Sequence, residues 1–328
     1  MIYPEFLKKG NTIGICAPSA GIWPDDVEYE ASIKRLNLEG YSIKETASVH
    51  NAQNESAPPA VRGAEFNQLI SDGDVDAVIC AAGGDFLISM LPYVDYEAFA
   101  KNPKWVQGYS DPTSLLYTLT TKLDIATIYG ANARGFWHDN PIHRSLRDSL
   151  DILSGNIPVQ ESFDLCERDQ SGRAGGYYLT EKVEWVCPNG DFTATGRLLG
   201  GCLDCITDVV GTRFDGTREF IEKYKDDGII WYFDIFALKA EVVHNVLFKM
   251  KHMGLFEHAR AFVFGRVCFP ATFADITYID AAKKILGDVP MVFEADIGHV
   301  NPKFTVINGA LGTFECKNGK GSLKMELV

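Results

Sequence analysis

The chain has 328 residues, 46% of them hydrophobic and 23% charged, with a formal net charge of −13 at pH 7. That length exceeds one ordinary core and suits two α/β domains, and the composition is that of a globular chain. The acidic balance disfavours nucleic acid and anionic membrane surfaces, which call for a basic face.

Met1-Ile2-Tyr3-Pro4-Glu5-Phe6 lacks the basic and apolar regions of a signal peptide. No apolar run reaches the roughly 18 residues of a membrane span, so a cytoplasmic location is expected. Thr12 to Cys16 reads as a short buried strand closed by the Pro18-Ser19 turn. Val27 to Glu39 reads as a helix ended by Gly40, and Val61 to Ile70 as a second helix. Val75 to Ala81 is a buried strand running into Gly83-Gly84-Asp85. Trp105 to Gly108 is a third strand, Thr113 to Leu123 a helix, and Ala126 to Tyr129 a fourth strand. Strands alternating with helices predict a doubly wound, mostly parallel sheet for an N-terminal domain over residues 1–150.

Gly155 to Gly190 is polar, Gly-rich and weakly periodic, which predicts a connection over 151–190. Ile229 to Asp234 reads as an almost wholly apolar strand. Val242, Val246, Met250 and Met253 mark one face of a helix ending at Gly254. Ala261 to Gly265 and Val289 to Glu294 read as strands, and from Phe304 on the chain reads as short antiparallel strands joined at Asn308-Gly309 and Asn318-Gly319. The expected fold class is therefore α/β: the doubly wound domain, then a C-terminal α/β domain over 191–328, with the site between them. Most of the eight cysteines sit in apolar settings and read as reduced core thiols. Cys202-Leu203-Asp204-Cys205 has neither the second pair nor the His pair that a zinc site needs.

In open α/β sheets functional groups gather beyond the carboxyl ends of strands. Ser110 follows one strand and precedes a helix, where a hydroxyl is exposed at a sharp turn near unpaired amides and the positive end of the helix. That is the logic of a nucleophile elbow without its Gly-x-Ser-x-Gly pattern; taken locally, Ser110 reads first as a helix cap, because caps are common. Gly83-Gly84 would let backbone amides approach an oxyanion, or would form a plain turn. His299 lies in a loop between Gly298 and Pro302, and Asp234 ends an apolar strand, where a carboxylate needs a partner. Glu241-x-x-His244 has the spacing of di-iron helices in one copy where two are needed. No dinucleotide fingerprint or P-loop is present.

These places, in this order, resemble the LD-carboxypeptidase family, which includes the microcin-C immunity peptidases. Leu7 to Ser19 is similar to the family's opening strand and turn, and Val75 to Gly84 to its strand ending in paired glycines. Pro103-Lys104-Trp105-Val106-Gln107-Gly108-Tyr109-Ser110-Asp111 resembles the segment that carries the family's nucleophile. Tyr129 to Asn132, Gly200 to Leu203, Gly211-Thr212, Ala261 to Arg266 and Gly298-His299 follow in family order, so the resemblance spans nearly the whole chain.

The resemblance implies a serine carboxypeptidase with Ser110 as nucleophile, His299 as base and Asp234 orienting the imidazole. The backbone amides of Gly84 and Asp111 would form the oxyanion hole, with Gly83 and Asp85 at the substrate. No cofactor and no metal is implied. The substrate would be a small peptide with a muropeptide L,D bond or a peptidyl-nucleotide antibiotic, with no nucleic-acid or membrane partner and a homodimer as the expected assembly. One departure stands out: Asp234 occupies the place of the family's Glu. It is one methylene shorter, and about 1 Å of misplacement can cost on the order of 10²-fold in rate. A catalytically impaired or inactive member acting as a binding protein is therefore the alternative expectation. A cysteine hydrolase built on Cys80 or Cys202 is a further one.

Overall fold

A computed structural model describes residues 1–137, 141–167 and 176–328. The chain forms two compact units, one of Met1–Ile157 with Thr305–Asn308, the other of Pro158–Phe304 with Gly309–Val328. The Gly155 to Gly190 connection expected from sequence straddles the junction, and residues 168–175 of it lie outside the described residues.

The first unit is built on strands β1 (Thr12–Cys16), β2 (Ser42–Glu45), β3 (Ala77–Cys80), β4 (Trp105–Gly108) and β5 (Thr127–Tyr129). They are mutually parallel in the order β2-β1-β3-β4-β5. The residues of β3 and β4 are all buried, the pattern of strands covered on both faces. Helix α1 (Val27–Leu38) joins β1 to β2 on one side; α2 (Pro59–Ser71), α3 (Tyr96–Lys101) and α4 (Thr113–Leu123) serve the connections running the other way. Right-handed crossovers in opposite directions put α1 on one face and α2 to α4 on the other. In agreement, α3 packs against both α2 and α4. A further helix, α5 (Arg144–Leu153), closes this part of the chain. The order reverses between β1 and β3, and a doubly wound sheet opens its ligand crevice beyond the carboxyl ends at such a point. The edge strand β2, exposed at three of its four positions, escaped the sequence reading because it has no apolar run.

The second unit opens with β6 (Gln160–Glu161) and the small antiparallel pair of β7 (Leu165–Cys166) and β8 (Glu181–Lys182). Strands β9 (Phe192–Cys202), β10 (Ile229–Asp234), β11 (Ala259–Gly265) and β12 (Met291–Ala295) then run parallel. Helices α6 (Leu203–Val209), α7 (Thr217–Lys223), α8 (Ala240–His252) and α9 (Tyr278–Leu286) connect them.

Strand β13 (Val306–Asn308) leaves this unit and adds antiparallel to β5 in the first sheet. The chain returns as β14 (Leu311–Lys317) and β15 (Lys320–Glu326), which extend the second sheet beside β9. The expected hairpin at Asn318-Gly319 is present, with Asn318 and Gly319 both at positive φ. The one expected at Asn308-Gly309 is not. Its two sides pair with strands distant in sequence, and a local turn signal carries no record of which partner a strand takes.

One further expectation is corrected and one holds for five of the eight cysteines. The buried stripe of α8 is Val243, Val246, Leu247 and Met250, while Val242 points outward. Cys187 and Cys316 are joined as a disulfide; the other six cysteines are free thiols, five of them buried.

Candidate active site

Ser110 is the second residue beyond β4, and its φ is +68°. A non-glycine residue held there is strained, and such strain concentrates where a side chain must be aimed. The backbone is held on both sides. Asn132 clamps the preceding residue, its Oδ1 accepting from Tyr109 N at 3.1 Å and its Nδ2 donating to Tyr109 O at 3.3 Å. Beyond it, Ser110 O accepts from Thr113 N at 2.9 Å as α4 begins.

The paired glycines following β3 lie against this turn. A methyl group built on Gly83 would stand 3.0 Å from both Cβ and Oγ of Ser110. Gly84, at φ +145°, packs so closely on Ser19 Oγ that no side chain fits. Asp111 ties these loops together. Its carboxylate accepts from Ser19 Oγ, beyond β1, and from Leu87 N at 2.8 Å, beyond β3. Burial raises the Asp111 carboxyl above its ordinary value, and those two hydrogen bonds oppose the rise. The first unit thus gathers Ser110, Gly83, Gly84 and Asp111 at one end of its sheet. Asp85 follows on the exposed side of the loop.

In the second unit Asp234 ends β10, fully buried, and His299 is 5% exposed. His299 Nδ1 lies 2.7 Å from Asp234 Oδ2. Gly298 permits this approach: its φ is +102°, and a Cβ there would collide with Asp234 Oδ1. A carboxylate on Nδ1 selects the tautomer that presents Nε2 for proton transfer.

The loop that carries His299 has its own buried anchor, which the sequence reading did not single out. Arg266 Nη1 pairs with Asp296 Oδ1 at 2.6 Å, and Arg266 Nη2 donates to Val300 O at 3.2 Å and Pro302 O at 2.6 Å. Asp296 Oδ2 also accepts from Trp185 Nε1 at 3.0 Å. A register shift between β11 and β12, with Glu294 at φ +59°, precedes Asp296. Bulges of this kind re-aim the residues that follow them. The ordinary signals of Arg266 and Asp296, a strand-end Arg and a loop Asp, gave no hint of their partnership 30 residues apart.

The rival sites lose their chemistry. Cys80 and Cys202 are buried, Cys80 by its burial and Cys202 by a hydrogen bond with Cys205 and burial both holding thiol ionisation well above the ordinary value. Neither supplies a thiolate readily. Glu241 accepts from Thr272 Oγ1 and Phe273 N, each at 3.1 Å, so it anchors a loop. Among the described residues no cluster of His, Cys, Asp and Glu could hold a metal ion, and no helix is long and apolar enough to cross a membrane.

Residues 13–130 match the LD-carboxypeptidase N-terminal domain and residues 195–314 the LD-carboxypeptidase C-terminal domain. The chain belongs to the LD-carboxypeptidase family, and so to a family of peptidases. A carboxypeptidase-family protein of Vibrio cholerae is 26% identical over 97% of this chain and 96% of its own length. The microcin C7 self-immunity protein MccF of Escherichia coli is 27% identical over 75% of this chain and 72% of its own. Among solved structures, an inactive mutant of MccF in the apo state superposes with a TM-score of 0.81 at 21% identity, covering 99% of this chain and 98% of that one. MccF has also been solved in complex with aspartyl sulfamoyl adenosine.

Proposed function

We propose that the protein is a serine-type carboxypeptidase working through Ser110, His299 and Asp234. The observation that carries this reading is the buried Asp234–His299 pair at 2.7 Å, within a family of peptidases. The short distance supports the view that Asp, though one methylene shorter than Glu, still reaches the imidazole. Ser110 Oγ attacks the scissile carbonyl while His299 Nε2 takes its proton. The Gly84 and Asp111 amides receive the oxyanion. His299 then returns the proton to the leaving amine, and water hydrolyses the acyl-enzyme by the same route. Gly83 and Asp85 border the substrate.

The substrate proposed is a small peptide tail, either a muropeptide with a terminal L,D bond or a peptidyl nucleotide. The likeness to MccF favours testing the second alongside the first. A cytoplasmic enzyme acting as a homodimer completes the reading, and sedimentation in solution checks the assembly. The decisive assay is hydrolysis of an L,D-tetrapeptide and of an aminoacyl-adenylate analogue by wild type and Ser110→Ala. The variant should lose roughly 10³-fold or more in kcat. Equal turnover by both proteins would remove Ser110 from the mechanism.

A further inference from the structure

We propose that Asp204 is a positioning residue for His299, acting through Phe236; the proposal rests on the reading of His299 as general base. Asp204 is the second residue of α6, and its carboxylate accepts three consecutive amides just beyond β10. Oδ2 takes Phe236 N at 3.0 Å, and Oδ1 takes Ala237 N at 3.0 Å and Leu238 N at 3.1 Å. Three successive amides pointing at one carboxylate determine the path of that turn, because each would otherwise need its own acceptor.

The turn also holds on to the segment beyond β11. Ile235 O accepts from Cys268 N at 3.1 Å and Phe236 O from Phe269 N at 2.9 Å. Its product is the placement of one ring. Phe236 lies 4.6 Å from the His299 ring, centroid to centroid, tilted by 45°. Phe269 closes on Phe236 edge-on at 5.0 Å. Asp234 therefore meets the imidazole at Nδ1, and the tilted Phe236 ring packs against it. The terminal torsion of a histidine is broad, so a ring packed against the imidazole restricts a motion that a single polar contact leaves soft. The control runs from Asp204 to the turn, from the turn to Phe236, and from Phe236 to the base.

The test uses the full chain as Asp204→Ala, Asp204→Asn and Phe236→Ala, with melting temperature as the check on folding. The first readout needs no substrate: the low-field proton on His299 Nδ1 in isotope-labelled protein. It should be sharp in wild type and broadened or lost in Asp204→Ala and Phe236→Ala. Asp204→Asn should fall between, since an oxygen at the Oδ1 position keeps two of the three amide bonds. The second readout is turnover of an L,D-tetrapeptide or aminoacyl-adenylate analogue. There kcat should fall by about 10- to 100-fold in the two alanine variants, with KM changed by less than about two-fold. Wild-type resonance and wild-type kcat in folded Phe236→Ala would overturn the proposal, and this variant decides if Asp204→Ala fails to fold. Should Ser110→Ala turn over as fast as wild type, the enzymatic reading falls, while the resonance still decides the positioning.

Discussion

At the scale of single residues, the candidate base depends on an atom that is missing. Gly298 has no Cβ, and one built there would collide with the carboxylate that faces His299. Gly298→Ala should therefore lower kcat by about 10- to 100-fold by pushing Asp234 and His299 apart. It should also lower the melting temperature, because alanine resists a φ of +102° whatever the space around it. Combining it with Asp234→Ala separates the causes. The part of the melting loss due to collision should disappear in the double variant, and strictly additive losses would show that backbone strain alone is responsible. Asp234→Glu lengthens the carboxylate by one methylene. The 2.7 Å contact leads us to expect no large gain in kcat, and a large gain would show that the shorter carboxylate had been a handicap.

At the scale of elements, α5 carries a buried acid that the mechanism does not use. Asp148 is 7% exposed, and burial raises its pKa from 3.8 to about 6. Arg144, one turn earlier, opposes the rise, and Asp151 adds to it. Between those two pH values the folded chain holds a proton that the unfolded chain has released. Stability from this group is therefore complete below about pH 3.8 and is lost as pH climbs through about 6. Asp148→Asn cannot ionise and should escape that loss. The difference in urea midpoint between variant and wild type should shift in favour of the variant from pH 4 to pH 7. A constant difference across that range would assign the decline to other groups.

At the scale of the whole chain, the two units are not two consecutive stretches of sequence. Thr305–Asn308 belongs to the first unit, although the chain on either side of it belongs to the second. Strand β13 covers the edge of β5, and β14 covers the edge of β9. A chain ending at Phe304 would leave both edges unpaired, and exposed strand edges invite association with other chains. Such a truncation should scatter light at micromolar concentration and lose its cooperative thermal transition. A monodisperse truncated protein with the melting temperature of wild type would show that the C-terminal strands are dispensable.

Much of the fold was legible without coordinates. Thr12–Cys16, Trp105–Gly108 and Ile229–Asp234 coincide with their expected bounds, because buried parallel strands are continuous apolar runs ended by Gly, Pro or a charge. The four places of the candidate site were legible for a related reason: they follow strand ends, where the chain must turn and glycine, serine or a lone carboxylate interrupts the apolar pattern. Local sequence could not distinguish Ser110 as a nucleophile from Ser110 as a cap; its φ of +68° and the clamp by Asn132 are tertiary facts. The partners of β13, the Arg266–Asp296 anchor and the Asp204–Phe236–His299 chain were likewise invisible. Sequence by itself determined the elements, their alternation and the residues at their ends, since those follow from hydrophobic period and backbone preference among near neighbours. Only the tertiary structure decided which strand completes which sheet and which buried charge meets which partner. Those choices depend on hydrogen bonds and ion pairs between residues 30 to more than 100 apart, and no local pattern encodes them.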